Sequence, residues 1–182
     1  DDVNLILRNG DIISELREEV QFGKYDVTII GKSRKRNMSH DLLQYINSSI
    51  LIVNNYQNEK FDKILLPLND SSGMMKVAKY AIRVALALKV SIEILTVTNK
   101  KDSDVVNRSK IDKLIKLIRR SGVAHFHKIE EGDIVEKIVN RAGKDKIIVM
   151  KASSMSPIQR FFKGSIPLSV MNECYVPILI VK

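Results

Sequence analysis

The sequence has one cysteine, no tryptophan and only 5% aromatic residues in 182 positions. The single thiol, Cys174, excludes an intramolecular disulfide framework and agrees with a reducing compartment. No apolar run approaches the roughly 18 residues that a membrane-spanning helix needs, and we expect no signal peptide. The first residue is aspartate rather than methionine, so we expect the chain to be a fragment of a longer protein.

The charge of the chain is unevenly distributed along it. Hydrophobic residues make up 45% and charged residues 28%, which is typical of a folded globular protein, and the net charge is +9. Residues 61–182 hold 22 Lys and Arg against 12 Asp and Glu, whereas residues 1–60 hold 8 against 9. A basic domain favours anionic partners such as nucleotides, nucleic acid or anionic lipid, and the alternative is a lysine-rich solvated surface. We do not expect nucleic acid, because aromatic residues are few and no recognition motif is present.

From residue 61 onward, strand and helix patterns alternate. The apolar runs predict strands at 63–68, 91–97, 123–129, 146–150 and 176–181. Apolar residues at helical spacing predict helices at 71–88, 104–120 and 132–143, and another helix from about residue 165. Strands joined by helical crossovers predict an α/β fold, a five-stranded parallel sheet with helices on both faces. Ligands bind such sheets beyond the carboxyl ends of the strands, here Leu68, Val97 and Met150.

The first part of the chain repeats part of the second. Residues 9–33 parallel residues 131–153, each with Gly-Asp-Ile at the start of a helix that leads to a strand, and residues 48–55 parallel residues 176–182. We therefore predict a partial repeat at 1–55, a linker at 56–61 and a complete domain at 62–182. An isolated half-domain leaves a sheet edge uncovered. We expect the missing half to be absent from this chain or replaced by docking.

The segment Gly164-Ser165 has the chemistry of a phosphate-binding turn. Ser165 is a good helix N-cap, and Pro167 suits the first helical turn, where an amide N–H has no partner. Free N–H groups at a helix start bind phosphate with help from the helix dipole. The alternative is an ordinary strand-to-helix turn.

Four stretches resemble the universal stress protein family: KILLPLNDS (63–71), GDIVEKIV (132–139), VPILIV (176–181) and the 150–166 loop. The resemblance covers residues 61–182 and, in part, residues 3–55. It implies a flavodoxin-like (Rossmann-like) sheet, a tendency to form dimers and, in some members, ATP bound at the strand ends. The implied nucleotide-binding residues are Pro67, Asn69, Ser71, Val97, Met150, Lys151, Ser154, Gly164, Ser165 and Ile166.

Two loop positions where nucleotide-binding members of the family have glycine are Lys151 and Ser154 here, and the family's acidic residue after the first strand is Asn69. A lysine in place of glycine can fill the space that a ribose or phosphate would occupy. It can also place an ammonium group on a phosphate. The residues leave both interpretations of Lys151 open.

We interpret the chain as a regulatory module of the universal stress protein type that binds ATP or another adenine nucleotide and acts through dimer or domain interfaces. The alternative is an interaction or dimerisation module that binds no nucleotide, such as the cytosolic tail of a membrane transporter. We expect no enzymatic activity and a cytoplasmic location. The expected partner is a second copy of the chain, or one repeat paired with the other. We expect no metal, since no cysteine or carboxylate pattern accompanies His125 and His127.

Overall fold

The computed structural model describes residues 3–32, 36–53, 60–68, 73–98, 108–152 and 165–182. Within these ranges the helices are α1 (Ile12–Gly23), α2 (Arg36–Tyr45), α3 (Met74–Leu88), α4 (Arg108–Arg120), α5 (Ile134–Ala142) and α6 (Ile166–Glu173). The strands are β1 (Val27–Gly31), β2 (Ser49–Val53), β3 (Lys63–Leu68), β4 (Ser91–Thr98), β5 (His125–Glu131), β6 (Lys146–Lys151) and β7 (Ile178–Val181). Among the described residues, no helix is both long enough and apolar enough to cross a bilayer.

The seven strands form one sheet in the order β1-β2-β7-β6-β3-β4-β5. The neighbours pair in parallel, except for β2 and β7, which are antiparallel. Strands β3 to β7 form the predicted five-stranded parallel unit, so the α/β, flavodoxin-like fold class is confirmed. The sheet is larger than predicted because β1 and β2 extend it beyond β7.

Helices cover both faces of the sheet and define two apolar cores. On one face, α3 and α4 pack over β3 and β4, with Ala78, Ala81 and Ile118 fully buried. On the other face, α1, α2, α5 and α6 pack over the sheet around residues such as Ile46 and Ile138. The near-continuous apolar sequence of β3 follows from this double cover, because its side chains are buried on both faces.

Polar residues in the sequence fix three of the helix starts. Asp11 and Asp133 open α1 and α5, and each carboxylate accepts a hydrogen bond at 2.9 Å from the backbone N–H three residues later. Ser165 opens α6 in the same way, as its sequence predicts. The C-terminal end of α3 is set by Lys89, which follows the helix and adopts the left-handed conformation with φ of 57°.

Strands β1 and β2 pair in the same register as strands β6 and β7 when the two segments are aligned by the sequence repeat. Gly31 pairs with Val53 in the first, and Lys151 pairs with Val181 in the second. The sequence repeat aligns these same positions. The amide that follows Gly31 donates to the Val53 carbonyl at 2.7 Å, and the amide that follows Lys151 donates to the Val181 carbonyl at 2.8 Å. The geometry of the two strand pairs therefore matches, residue for residue.

Strands β5 and β7 differ by two residues from their predicted bounds, and β4 and β6 each end one residue later than predicted. β5 begins at His125 and ends at Glu131, two residues later than predicted, because it pairs along β4 as far as Thr98. β7 begins at Ile178 rather than residue 176, since Pro177 has no N–H to donate to the sheet. None of these shifts moves a strand to another place in the sheet.

Candidate functional site

The carboxyl ends of β3 and β6 mark the place where the strand order reverses. The chain runs from β3 to β4 and β5 on one side, and then returns to place β6 on the other side of β3. Helix α3 begins after β3, and the segment toward α6 begins after β6. This is the position at which open α/β sheets bind ligands.

Lys151, the last residue of β6, reaches across this switch point to the start of α3. A Cβ atom built on Gly73 would lie 3.4 Å from Cε of Lys151 and 3.8 Å from Nζ. The lysine side chain therefore lies against Gly73 and brings its ammonium group to the first turn of the helix.

The start of α3 carries backbone N–H groups that the helix itself does not use. Gly73 is the N-cap, with φ of 89°, and as a glycine it has no side chain with which to cap the helix. The first N–H groups that bond back to the Gly73 carbonyl are those of Lys76 (3.0 Å) and Val77 (3.3 Å). The amides of Met74 and Met75 precede these bonds, so they have no intrahelical acceptor. Together with Lys151, they form a positively polarised corner.

The start of α6 offers fewer donors than the sequence suggested. The buried Ser165 hydroxyl accepts the N–H of Leu168 at 3.2 Å. Pro167 has no N–H, and the amide of Ser169 bonds to the Ser165 carbonyl at 3.0 Å. Within the first turn of α6, only the Ile166 amide is left without an intrahelical acceptor. The Ile166 side chain is 37% exposed.

Three of the predicted site residues lie near the carboxyl ends of β3, β4 and β6: Pro67, Val97 and Met150. Pro67 and Met150 are buried, and Val97 is half-buried against the second core. These side chains belong to the core, so the polar groups they can offer a ligand are those of the backbone.

Four predicted site residues, Asn69, Ser71, Ser154 and Gly164, lie outside the described residues. Gly73 was missed by the sequence reasoning. Its signal was a glycine between the first strand and the first helix, where the backbone needs a positive φ and a close approach. Its neighbour in space is 78 residues away in sequence, so their contact could not be read from spacing.

The two histidines of β5 hold structural hydrogen bonds. His127 Nε2 lies 2.8 Å from the hydroxyl oxygen of the buried Thr96, and His125 Nδ1 lies 3.1 Å from the Val123 carbonyl oxygen. Burial lowers the pKa of His127 below its ordinary value of 6.5, which favours the neutral ring. No cluster of three or more metal-ligating side chains occurs in the described part of the chain.

The one cysteine is buried beside α6. Cys174 belongs to the second core, and burial, helped by the nearby Glu173 carboxylate, raises the pKa of its thiol to about 11. Lys32 partly opposes this rise. A protonated, enclosed thiol is a packing group rather than a nucleophile.

Comparison with solved structures extends the description of the fold. A universal stress protein from Archaeoglobus fulgidus DSM 4304 superposes with a TM-score of 0.73 at 18% identity, over 95% of this chain and 66% of that one. The present chain thus spans less than two thirds of the length of that protein.

Two shorter structures match about two thirds of this chain. A universal stress protein in complex with cAMP gives a TM-score of 0.58 at 16% identity, over 68% of this chain and 99% of that one. A universal stress protein structure from Archaeoglobus fulgidus in complex with dAMP gives a TM-score of 0.55 at 19% identity, over 67% of this chain and 98% of that one. At such identities the likeness establishes the fold.

A search among curated proteins gave no match to the sequence. The sequence model of the universal stress protein family matches residues 60–182, which is the unit that holds β3 to β7 and the switch point. The chain therefore belongs to the universal stress protein family.

Proposed function

We propose that this chain is a non-enzymatic regulatory module that binds an adenine nucleotide at the carboxyl edge of β3, β4 and β6. The observation that carries the proposal is the contact of Lys151 with Gly73, the glycine N-cap of α3. An ammonium group beside two backbone N–H groups without intrahelical acceptors suits a phosphate. Family members solved with cAMP and dAMP support the adenine class of ligand.

In this proposal Lys151 replaces a loop glycine and contributes a charge instead of open space. The phosphate would contact the Lys151 ammonium and the amides of Met74 and Met75, with the Ile166 amide as a donor from α6. The backbones of Pro67 and Val97 would face the nucleoside. Asn69, Ser71, Ser154 and Gly164 stay in the proposed site as the sequence predicts them.

A thermal-shift titration with ATP, ADP, AMP and cAMP, with and without magnesium, tests this function. A ligand that binds the folded state raises the melting temperature with saturation. Nucleotide that copurifies with the protein is assayed in parallel. The absence of any shift, with nothing copurified, would overturn the proposal.

Two glycine variants separate the site from general effects on stability. Gly73→Ala and Gly122→Ala both place a side chain at a positive φ, 89° and 76°, so the backbone strain is similar. At Gly73 the new methyl group meets Lys151, whereas at Gly122, between α4 and β5, it meets nothing within 4 Å. We expect nucleotide to stabilise Gly122→Ala as it does the wild type, and to stabilise Gly73→Ala less.

A second proposed role is the pairing of domains, and the antiparallel pairing of β2 with β7 favours it. We propose that residues 1–55 are a partial second copy of the domain, that 56–61 are its linker, and that the two copies pair through their closing strands. Two lysines support this pairing. Lys32 Nζ donates to the Met171 carbonyl at 2.8 Å, and Lys182 Nζ donates to the Ile46 carbonyl. Light scattering tests whether this internal pairing replaces a dimer, in which case the chain is monomeric.

A further inference from the structure

The outer faces of α3 and α4 carry a row of cations each. Lys76, Lys79 and Arg83 on α3 repeat the spacing of Lys113, Lys116 and Arg120 on α4, and all six are exposed. In an α-helix, residues at i, i+3 and i+7 share one side. The two helices pack against each other on the same face of the sheet. Their cationic rows therefore point outward together.

The charge of this face is strongly one-sided. With Arg119, the side chains of α3 and α4 that the structure describes include seven exposed cations, and Asp112 is the one acidic residue in the sequence of the two helices. Among the described residues, no carboxylate forms an ion pair with any of these seven cations. By contrast, α1, α5 and α6 on the opposite face together hold five glutamates against three Lys and Arg.

Apolar side chains stand among these cations. Leu86 continues the row of Lys76, Lys79 and Arg83 and is 54% exposed, and Leu88 at the end of the helix is 44% exposed. Met75 in the first turn of α3 is also 44% exposed. Cations that surround exposed leucines are the pattern of a surface that rests on a lipid headgroup layer.

We propose that the α3–α4 face, defined by the seven cations with Leu86 and Leu88, binds an anionic phospholipid bilayer. The cations contact the lipid phosphates and carboxylates, and the leucines enter the headgroup boundary. Nucleic acid fits this face less well, because single strands need exposed aromatic rings on which to stack, and exposed leucines add nothing to cation contacts with duplex phosphates. The one aromatic residue in these two helices, Tyr80, is half-buried, and its hydroxyl donates to the Asp26 carbonyl at 3.4 Å.

Sedimentation with vesicles of phosphatidylcholine, with and without about 30% phosphatidylserine, tests the proposal. The chain should bind only to the vesicles that contain phosphatidylserine, and it should dissociate from them when the salt concentration rises from about 0.1 M to about 0.5 M. Reversal of three cations, Lys79→Glu, Arg83→Glu and Lys116→Glu, should weaken binding about a hundredfold, at roughly fivefold for each lost cation.

A matched control separates this face from the net charge of the chain. Arg17→Glu, Lys24→Glu and Lys128→Glu change the net charge by the same amount at exposed positions outside α3 and α4. These reversals should change vesicle binding by less than about threefold. Equal losses from the two triple variants would overturn the proposal, since only total charge would then matter.

A tryptophan reporter distinguishes lipid from nucleic acid. The chain has no tryptophan, so Leu86→Trp gives one fluorescence signal at the centre of the face. Anionic vesicles should shift its emission to the blue as the ring enters the bilayer boundary. A duplex DNA of mixed sequence should not. The proposal would be overturned if vesicles caused no blue shift while the chain bound DNA and the triple variant of Lys79, Arg83 and Lys116 did not. That result would show that the face binds nucleic acid.

Discussion

Leu51 of β2 lies directly opposite Leu179 of β7 in the antiparallel pair. The sequence repeat aligns these two leucines, so each occupies the same place in its own segment. On one side of this leucine pair Ile50 lies opposite Ile180, and on the other side Ile52 lies opposite Ile178. The pairing is therefore symmetric about the two leucines. The segment that holds β1 and β2 thus pairs with the unit of β3 to β7 about a local two-fold axis, and both contribute side chains to the second core.

This shared core predicts that the chain unfolds in one step. Ile50→Ala should lower the free energy of unfolding by about 2–5 kcal/mol, because Ile50 is fully buried between the two segments. Ile29→Ala is the matched control on β1, where the side chain is 66% exposed, and it should change stability by less than about 0.5 kcal/mol. Urea denaturation followed by circular dichroism measures both variants.

Two separate transitions in the wild type would contradict this account. A second contradicting result would be an Ile50→Ala variant in which only a small part of the circular dichroism change moves to lower urea concentration. Either result would mean that residues 3–53 fold or dock independently of residues 60–182.

Most of the fold follows from local patterns in the sequence. Apolar runs such as KILLPL identified strands buried on both faces, and alternation with helices identified a parallel sheet. The antiparallel contact of β2 with β7 leaves no mark in the sequence of either strand. Both read as apolar runs, and their pairing depends on how two segments far apart in the chain meet.

The site could be predicted in part. Ser165 was expected to cap α6, and it does. The role that we propose for the start of α3 was not foreseen, because Gly73 and Lys151 come together only when β3 and β6 pair. The sequence left the role of Lys151 open since its direction depends on tertiary packing.

A buried ion pair lies far from this site, toward the amino-terminal end of the sheet. Glu93 on β4 is 1% exposed, and one of its oxygens, Oε2, lies 3.0 Å from Lys146 Nζ. The other oxygen lies 3.3 Å from Arg141 Nε, without the geometry of a hydrogen bond. The carboxylate therefore depends on two cations from the α5–β6 region.

Removal of one partner should be costly. Glu93→Ala should lower the free energy of unfolding by about 3–5 kcal/mol, because the largely enclosed Lys146 ammonium, 11% exposed, is left without a carboxylate partner. The double change Glu93→Met with Lys146→Met should recover most of this loss, since an apolar pair of similar volume needs no compensation. Urea titration of the three proteins checks the prediction, and equal losses in both variants would contradict it.

The pH dependence of stability should include a contribution from His127. Burial lowers its pKa, so the unfolded chain binds its proton more readily than the folded one. Stability from this group is present above pH 6.5 and is lost as the pH falls through the lower folded pKa. His127→Gln keeps a polar partner for Thr96 but takes up no proton. Urea midpoints should therefore fall less steeply below pH 6.5 in this variant, and an unchanged slope would refute the assignment.

The thiol of Cys174 should be unreactive in the folded chain. Its pKa of about 11 leaves only about one thiolate in a thousand at pH 8, and its side chain is enclosed. A disulfide reagent such as DTNB should modify it only as fast as the protein unfolds, whereas urea should expose it fully. Rapid stoichiometric reaction of the native protein would contradict the packing role.

Calorimetric titration of ATP and AMP into the wild type and Lys151→Met measures the contribution of the Lys151 ammonium. Methionine keeps an unbranched apolar stem that reaches as far as Cε of the lysine, and it removes the ammonium group. Lys128→Met on the exposed strand β5 is the control for the loss of one charge.

We expect saturable binding of nucleotide to the wild type and to Lys128→Met. Binding to Lys151→Met should be at least about tenfold weaker, because a charge-assisted hydrogen bond to phosphate is lost. Equal affinities in all three proteins, or no saturable heat in any of them, would contradict a nucleotide site at Lys151 and the start of α3.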